Sequence, residues 1–148
     1  MKFNRLTFHD KFKMISEQAT EKAMLDILYK VSDPNLKALL SYTFDDNIVW
    51  LLPEGDPPYT EVNEKPVDVA TRLAQEVRRL PIFLNVGPYA GMKSQKREQL
   101  FIDILETIHP DDAKLLLSIK KGKLPYPKLN RKFFEKAFPT LKDKWVKR

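Results

Sequence analysis

Apolar residues recur along most of this chain at spacings of three and four, the period of helices that bury one face. Thr7-Phe-His-Asp10 has capping-box spacing, with aspartate in the place usually held by glutamate. It predicts a short helix whose Phe8, Phe12 and Ile15 share a side. Thr20 can cap a second helix, with Met24, Leu25, Leu28 and Val31 as its apolar stripe. Asp33-Pro34 sets a capping residue before a proline at the first helical position, and Leu36, Leu39, Leu40 and Thr43 follow on one face. Residues 48–52 form an apolar run too short to type by periodicity, which stops at Pro53.

Residues 53–66 break the pattern, because four prolines and a glycine exclude regular helix. The expected form is an extended surface loop joining two helical subdomains. Helix is expected again over residues 67–80, with Val69, Leu73, Val77 and Leu80 on one face. Pro81 then opens the short apolar piece Ile82-Phe83-Leu84. After a loop at Gly87-Pro-Tyr-Ala-Gly91, Leu100, Phe101, Ile104, Leu105 and Ile108 make one apolar face. His109-Pro110 starts the next helix, with Asp111 and Asp112 in its first turn where they favour the helix dipole. Ala113, Leu116, Leu117 and Lys120 continue at helical spacing, Gly122 can end the helix, and a last short helix finishes at Phe138-Pro139. There is no period-2 strand, internal repeat or heptad run. The pattern predicts an all-α fold: one compact domain, 1–148, of short, orthogonally packed helices. It divides into an N-terminal helical subdomain 1–52, the loop 53–66, a C-terminal helical subdomain 67–141 and a basic tail 142–148.

Charge adds an asymmetry to this outline. The net charge is +6, but residues 114–148 hold twelve Lys or Arg against two acids, a local balance of +10, and the other 113 residues carry −4. Between Asp45 and Asp68, by contrast, lie seven carboxylates and one lysine. A basic end on a slightly acidic body is the footprint of a face that meets a polyanion; the plainer reading is a solvated, lysine-rich surface with a frayed tail. The absence of cysteine excludes a disulfide scaffold, thiolate zinc sites, iron–sulfur clusters and cysteine nucleophiles. No apolar run approaches the roughly 20 residues of a membrane span, and residues 1–20 lack a signal-peptide apolar stretch, so the chain reads as soluble and intracellular.

Candidate chemistry is sparse. His9 and His109 stand far apart in sequence, without ligand-spaced partners. Asp45-Asp46 reads as a solvated turn and Asp111-Asp112 as helix-start chemistry rather than as magnesium ligands. Gly87-Pro-Tyr-Ala-Gly91-Met-Lys93-Ser94 has the wrong spacing for a nucleotide-binding loop, since four residues should separate the glycines and the second should directly precede the lysine. As an exposed loop leading into a helix beside Lys93, Lys96 and Arg97, it can still hold a backbone phosphate.

Arg97-Glu98, Leu100-Phe101, Asp111-Asp112-Ala113, Leu115-Leu116-Leu117, Lys121-Gly-Lys123-Leu124 and Ala137-Phe-Pro-Thr-Leu141, with the acidic-proline stretch Leu52-Pro-Glu-Gly-Asp56, resemble a conserved, uncharacterised protein family of contractile-tailed marine phages, the cyanophages. More distantly, the order of a Leu-rich helix, an acid-started helix, a basic glycine-containing turn and a short helix ending in Phe-Pro-x-Leu is similar to the helical DNA-binding domain of phage ATP-dependent DNA ligases. Asn35-Leu36-Lys37 and Leu39-Leu40 extend that similarity to the N-terminal half. The chain departs from the ligases in lacking the nucleotidyltransferase core and its Lys-x-Asp-Gly motif. Its turn also reads Lys120-Lys-Gly-Lys-Leu-Pro-Tyr-Pro127 where the ligases carry an Arg/Cys-Gly element.

The resemblance implies a DNA-gripping module without chemistry of its own. The expected contacts to duplex phosphates are Lys93, Lys96 and Arg97 at one loop and Lys120, Lys121, Lys123, Lys128, Arg131 and Lys132 at another. No catalytic residue, metal or cofactor is expected, nor a membrane partner. The place of action implied is the cytoplasm of an infected bacterial host, or the virion. The alternative is a protein–protein adaptor or virion component that uses the acidic loop and basic tail against oppositely charged neighbours.

Overall fold

The computed structural model describes residues 6–61 and 71–147, where the chain builds eight α-helices and no extended strand. They are α1 Phe8–Ser16, α2 Glu21–Val31, α3 Pro34–Phe44, α4 Arg72–Glu76, α5 Ser94–Thr107, α6 Pro110–Lys120, α7 Arg131–Ala137 and α8 Pro139–Trp145. The end of the expected loop and the start of the helix expected over 67–80 lie outside the described residues. The rest of that helix is divided: α4 gives way to a 3-10 segment, Val77–Phe83. Pro81 sits inside that segment instead of ahead of it. Lacking an N–H and crowding the carbonyl four residues back, it bars a further α-turn and the chain tightens.

The caps read from sequence are formed. The Thr7 hydroxyl accepts from the Asp10 amide (2.9 Å) and the Asp10 carboxylate accepts from the Thr7 amide (3.3 Å), completing the capping box. Thr20 and Asp33 accept from the amides of Ala23 and Leu36 and start α2 and α3; Asn130, not among the expected caps, accepts from the Phe133 amide and starts α7. The short run at 48–52 pairs with the residues after the 3-10 segment: Trp50 and Leu84 form an isolated antiparallel bridge, and the Leu51 amide donates to the Phe83 carbonyl (2.7 Å).

The apolar faces close on one another as a single cluster. Helix α1 packs on α2, α1 and α3 lie against α6, α5 against α6, and α8 returns to α3. Phe12, Phe83, Phe101, Phe134 and Trp145 are its largest fully buried side chains. The stretch expected as a basic tail is therefore mostly helix. Trp145 is completely buried, its indole N–H donating to the Ser41 hydroxyl (3.0 Å), its ring against Phe44.

Candidate nucleic-acid interface

The basic turn is built where α6 stops. Gly122 takes φ +85°, its amide donates to Ile119 and the Lys123 amide to Ser118, a Schellman arrangement that satisfies two of the last carbonyls. Beyond it the chain alternates. Leu124, Tyr126 and Leu129 are buried while Lys123, Pro125, Pro127 and Lys128 face solvent, so apolar anchors fix an irregular path, with a turn closed by the Leu129 amide on the Tyr126 carbonyl and its cations outward.

Lys120 and Lys121 are not free in this arrangement. The Lys120 ammonium donates to the Gly55 carbonyl (2.7 Å), and that of Lys121 lies 3.1 Å from the Asp56 carboxylate. The acidic-proline loop and the basic turn, separate in sequence, thus meet. Partial burial pushes the Lys120 amine below its ordinary range, with Asp56 working in the opposite direction. Behind the loop remains a space of about 190 Å³, with Phe101 and Ile102 on its wall and Glu98 at its side.

Arg97 corrects the expected set. It is buried at 4% exposure, and its guanidinium donates to the carbonyls of Ile82 (3.2 Å), Tyr89 (2.8 Å) and Ala90 (3.4 Å). Its hydrogen-bonding capacity is thus turned inward, tying the 82–90 connector to α5, and no phosphate can reach it. Lys93 and Lys96, at the start of the same helix, remain exposed. Gly87 belongs to the same packing: a Cβ there would lie 2.7 Å from the Pro81 carbonyl oxygen.

Arg131 is also largely committed, to Asp46 (2.7 Å), Glu135 (3.4 Å) and the Trp145 carbonyl (3.3 Å). The hydrogen bond from Arg131 holds the Asp46 carboxyl below its usual range, so Asp46 is a docking partner rather than only a solvated turn residue. Lys128 and Lys132 are exposed beside an open groove of about 430 Å³ between α2 and α7, floored by Met24 and Phe133. Lys136, absent from the contacts expected on sequence, lines the same groove one turn beyond Lys132 and pairs with Glu21 (2.8 Å). The four-residue spacing Lys128, Lys132, Lys136 was the available signal. Of the nine expected contacts, Lys93, Lys96, Lys123 and Lys132 stand exposed and make no ion pair among the described residues. Lys128 adds only a marginal reach to the Gln18 carbonyl (3.5 Å).

A second group of titratable residues lies at the junction of α1 and α6. Asp112 is fully buried and accepts from the amides of His9 (2.9 Å) and Phe8 (3.4 Å), the first turn of α1. His9 Nδ1 and the Tyr126 hydroxyl, 2.7 Å apart, share one hydrogen bond. Burial raises the Asp112 carboxyl to about 7 against the opposing pull of those two amides, and burial with nearby Asp112, Asp111 and Asp10 raises the Tyr126 phenol. Asp112 therefore does more than start its own helix: it caps another one, about a hundred positions away in sequence. Among the described residues no group of three or more His, Asp or Glu side chains is placed to hold a metal ion, and no helix is long and apolar enough to cross a membrane.

Residues 12–126 match the profile of a family of unknown function, DUF6433. The chain belongs to this family. No curated protein and no solved structure matches it. The stretch shared with DUF6433 includes the acidic loop, Lys93, Lys96 and the turn lysines 120, 121 and 123; Lys128, Arg131 and Lys132 lie beyond it.

Proposed function

We propose that this DUF6433 chain is a non-catalytic phage accessory protein, a helical module that grips duplex DNA by its phosphates. The observation that carries the reading is three exposed lysines on the most basic part of the chain, Lys123 after α6 and Lys128 and Lys132 beside the α2–α7 groove, none of them in an ion pair among the described residues. Exposed lysines of this kind bind polyanions by releasing counterions and carry no base readout. Supporting it is the element order α5, α6, basic turn, α7, which is the order the ligase-domain resemblance implies; the attribution to phages rests on the sequence resemblance.

The test is fluorescence anisotropy with a labelled blunt duplex across a salt series. Each lysine engaged adds about −0.9 to the log–log slope, so these three set about −2.7, and Lys93 with Lys96 extends it to about −4.5. Lys123→Glu with Lys132→Glu should weaken binding at least about tenfold while leaving the helical circular-dichroism signal unchanged. Absence of binding at low salt, or a flat salt dependence, overturns the reading.

One observation favours the adaptor reading instead. Val49, Val86 and Val146 are each more than half exposed, at 54%, 58% and 54%. Asn47 and Asn85 knit their three segments together: Asn47 donates to the Val146 carbonyl (2.9 Å), Asn85 to the Asn47 carbonyl (3.2 Å), and the Val49 amide to the Asn85 side chain (2.7 Å). Recovery of one defined protein with the tagged chain after nuclease treatment, lost on Val86→Asp, would support that reading over DNA binding.

A further inference from the structure

We propose that the acidic segment 53–58 is an internal occupant of the phosphate track, a strap that covers its Lys120–Lys121 end and withholds those two lysines from a bound polyanion. The inference rests on the phosphate-binding reading above.

The strap is fastened firmly at its ends and weakly in its middle. On one side Leu52 packs against the core, one residue after the Leu51–Phe83 hydrogen bond. On the other, Tyr59 packs against the core and the Thr60 amide donates to the Glu106 carboxylate (2.8 Å). Between them Pro53, Glu54, Gly55 and Asp56 are all exposed, and the polar contacts holding this middle part are those to Lys120 and Lys121. The Lys121 and Asp56 side chains are themselves 46% and 51% exposed. Ion pairs so open to water are weak and fade with salt. Apolar packing adds little to them, since only Pro57 of the segment is half-buried and a space of about 190 Å³ separates it from Phe101 and Ile102.

Geometry makes the segment a fair imitation of phosphate. A carboxylate oxygen stands 3.1 Å from the Lys121 ammonium and a carbonyl oxygen 2.7 Å from that of Lys120, each an oxygen acceptor of the kind a phosphate presents. Gly55, at φ +85°, takes the left-handed turn of the chain here, and no atom lies within 4 Å of where its Cβ would be. Pro53, Pro57 and Pro58 restrict the segment to few conformations, so it lies over the two lysines as a stiff arc between its two fixed ends. With the strap down, the track available to DNA is reduced to Lys123 and the lysines beyond.

The strap is tested in the full chain by neutralising it, with Glu54→Gln and Asp56→Asn together, and titrating the same labelled duplex. Freed lysines should raise affinity about three- to fivefold at low salt and steepen the salt slope by about −1.8, two contacts' worth. Lys120→Ala with Lys121→Ala should change little in the parent chain but cancel the gain in the neutralised one. A gain that survives removal of both lysines is a general charge effect and overturns the strap. So does an unchanged affinity in a protein that otherwise binds with the expected slope, a result that leaves the phosphate reading standing. If parent and variant both fail to bind, the phosphate reading falls and the strap falls with it.

Discussion

Asp112 shows how much one residue's role depends on where the chain folds it. Burial raises its carboxyl from an ordinary 3.8 to about 7. The folded state therefore holds a proton that the unfolded state releases between those values. The sign follows: the contribution is fully present below about pH 4 and is lost as pH rises through about 7. The span corresponds to at most about 4 kcal/mol. Asp112→Asn keeps one acceptor for the amides of α1 but cannot titrate. In urea denaturation the parent should be more stable than the variant near pH 5, and the gap should narrow steadily to about pH 8; a constant gap would contradict the assignment. None of this is legible in sequence. Asp111-Asp112 at a helix start has a sufficient local explanation, and only the fold brings Phe8 and His9 to the second carboxylate. Arg97 misleads for the same reason, since an arginine in a basic stretch gives no sign that three carbonyls will close around it.

At the scale of elements, local signals carry well where the chemistry is local. The Thr7, Thr20 and Asp33 caps, Pro110 and Gly122 each act within a few residues, and each marks the helix end expected of it. Pairing at a distance is hidden: the 48–52 run looks ambiguous because the partner of its Trp50, Leu84, is 34 positions away. The connector that carries Leu84 continues into a loop fastened by Arg97. Arg97→Ala should leave its carbonyl partners without a donor and cost about 2–4 kcal/mol in chemical denaturation. Arg97→Lys should recover only part, because a single ammonium cannot reproduce the guanidinium fork. Duplex affinity measured on the folded fraction should not change, which separates this arginine from the contact lysines.

Over the whole molecule, the two charge features of the sequence turn out to be one. The acidic loop and basic turn are visible as separate biases, but their apposition at the C-terminal end of α6 is a tertiary fact. The all-α class is legible from periodicity throughout. The closing segment is less so, since a lysine-rich 142–148 looks like a tail unless Trp145 is given a place. Its place is in the core between α3 and α7, so Trp145→Ala should cost about 3–5 kcal/mol by removal of a fully buried aromatic. A thermal melt should show a large drop in midpoint together with a less cooperative transition.

The indole of Trp145 reaches back 104 residues to Ser41. A chain leaving the ribosome N-terminus first therefore exposes Phe44 for nearly all of that length before its cover arrives. Through that interval α1 to α3 are an unfinished surface, attractive to chaperones and to neighbouring nascent chains. The aromatic face of α3 is thus completed only once α8 has been made.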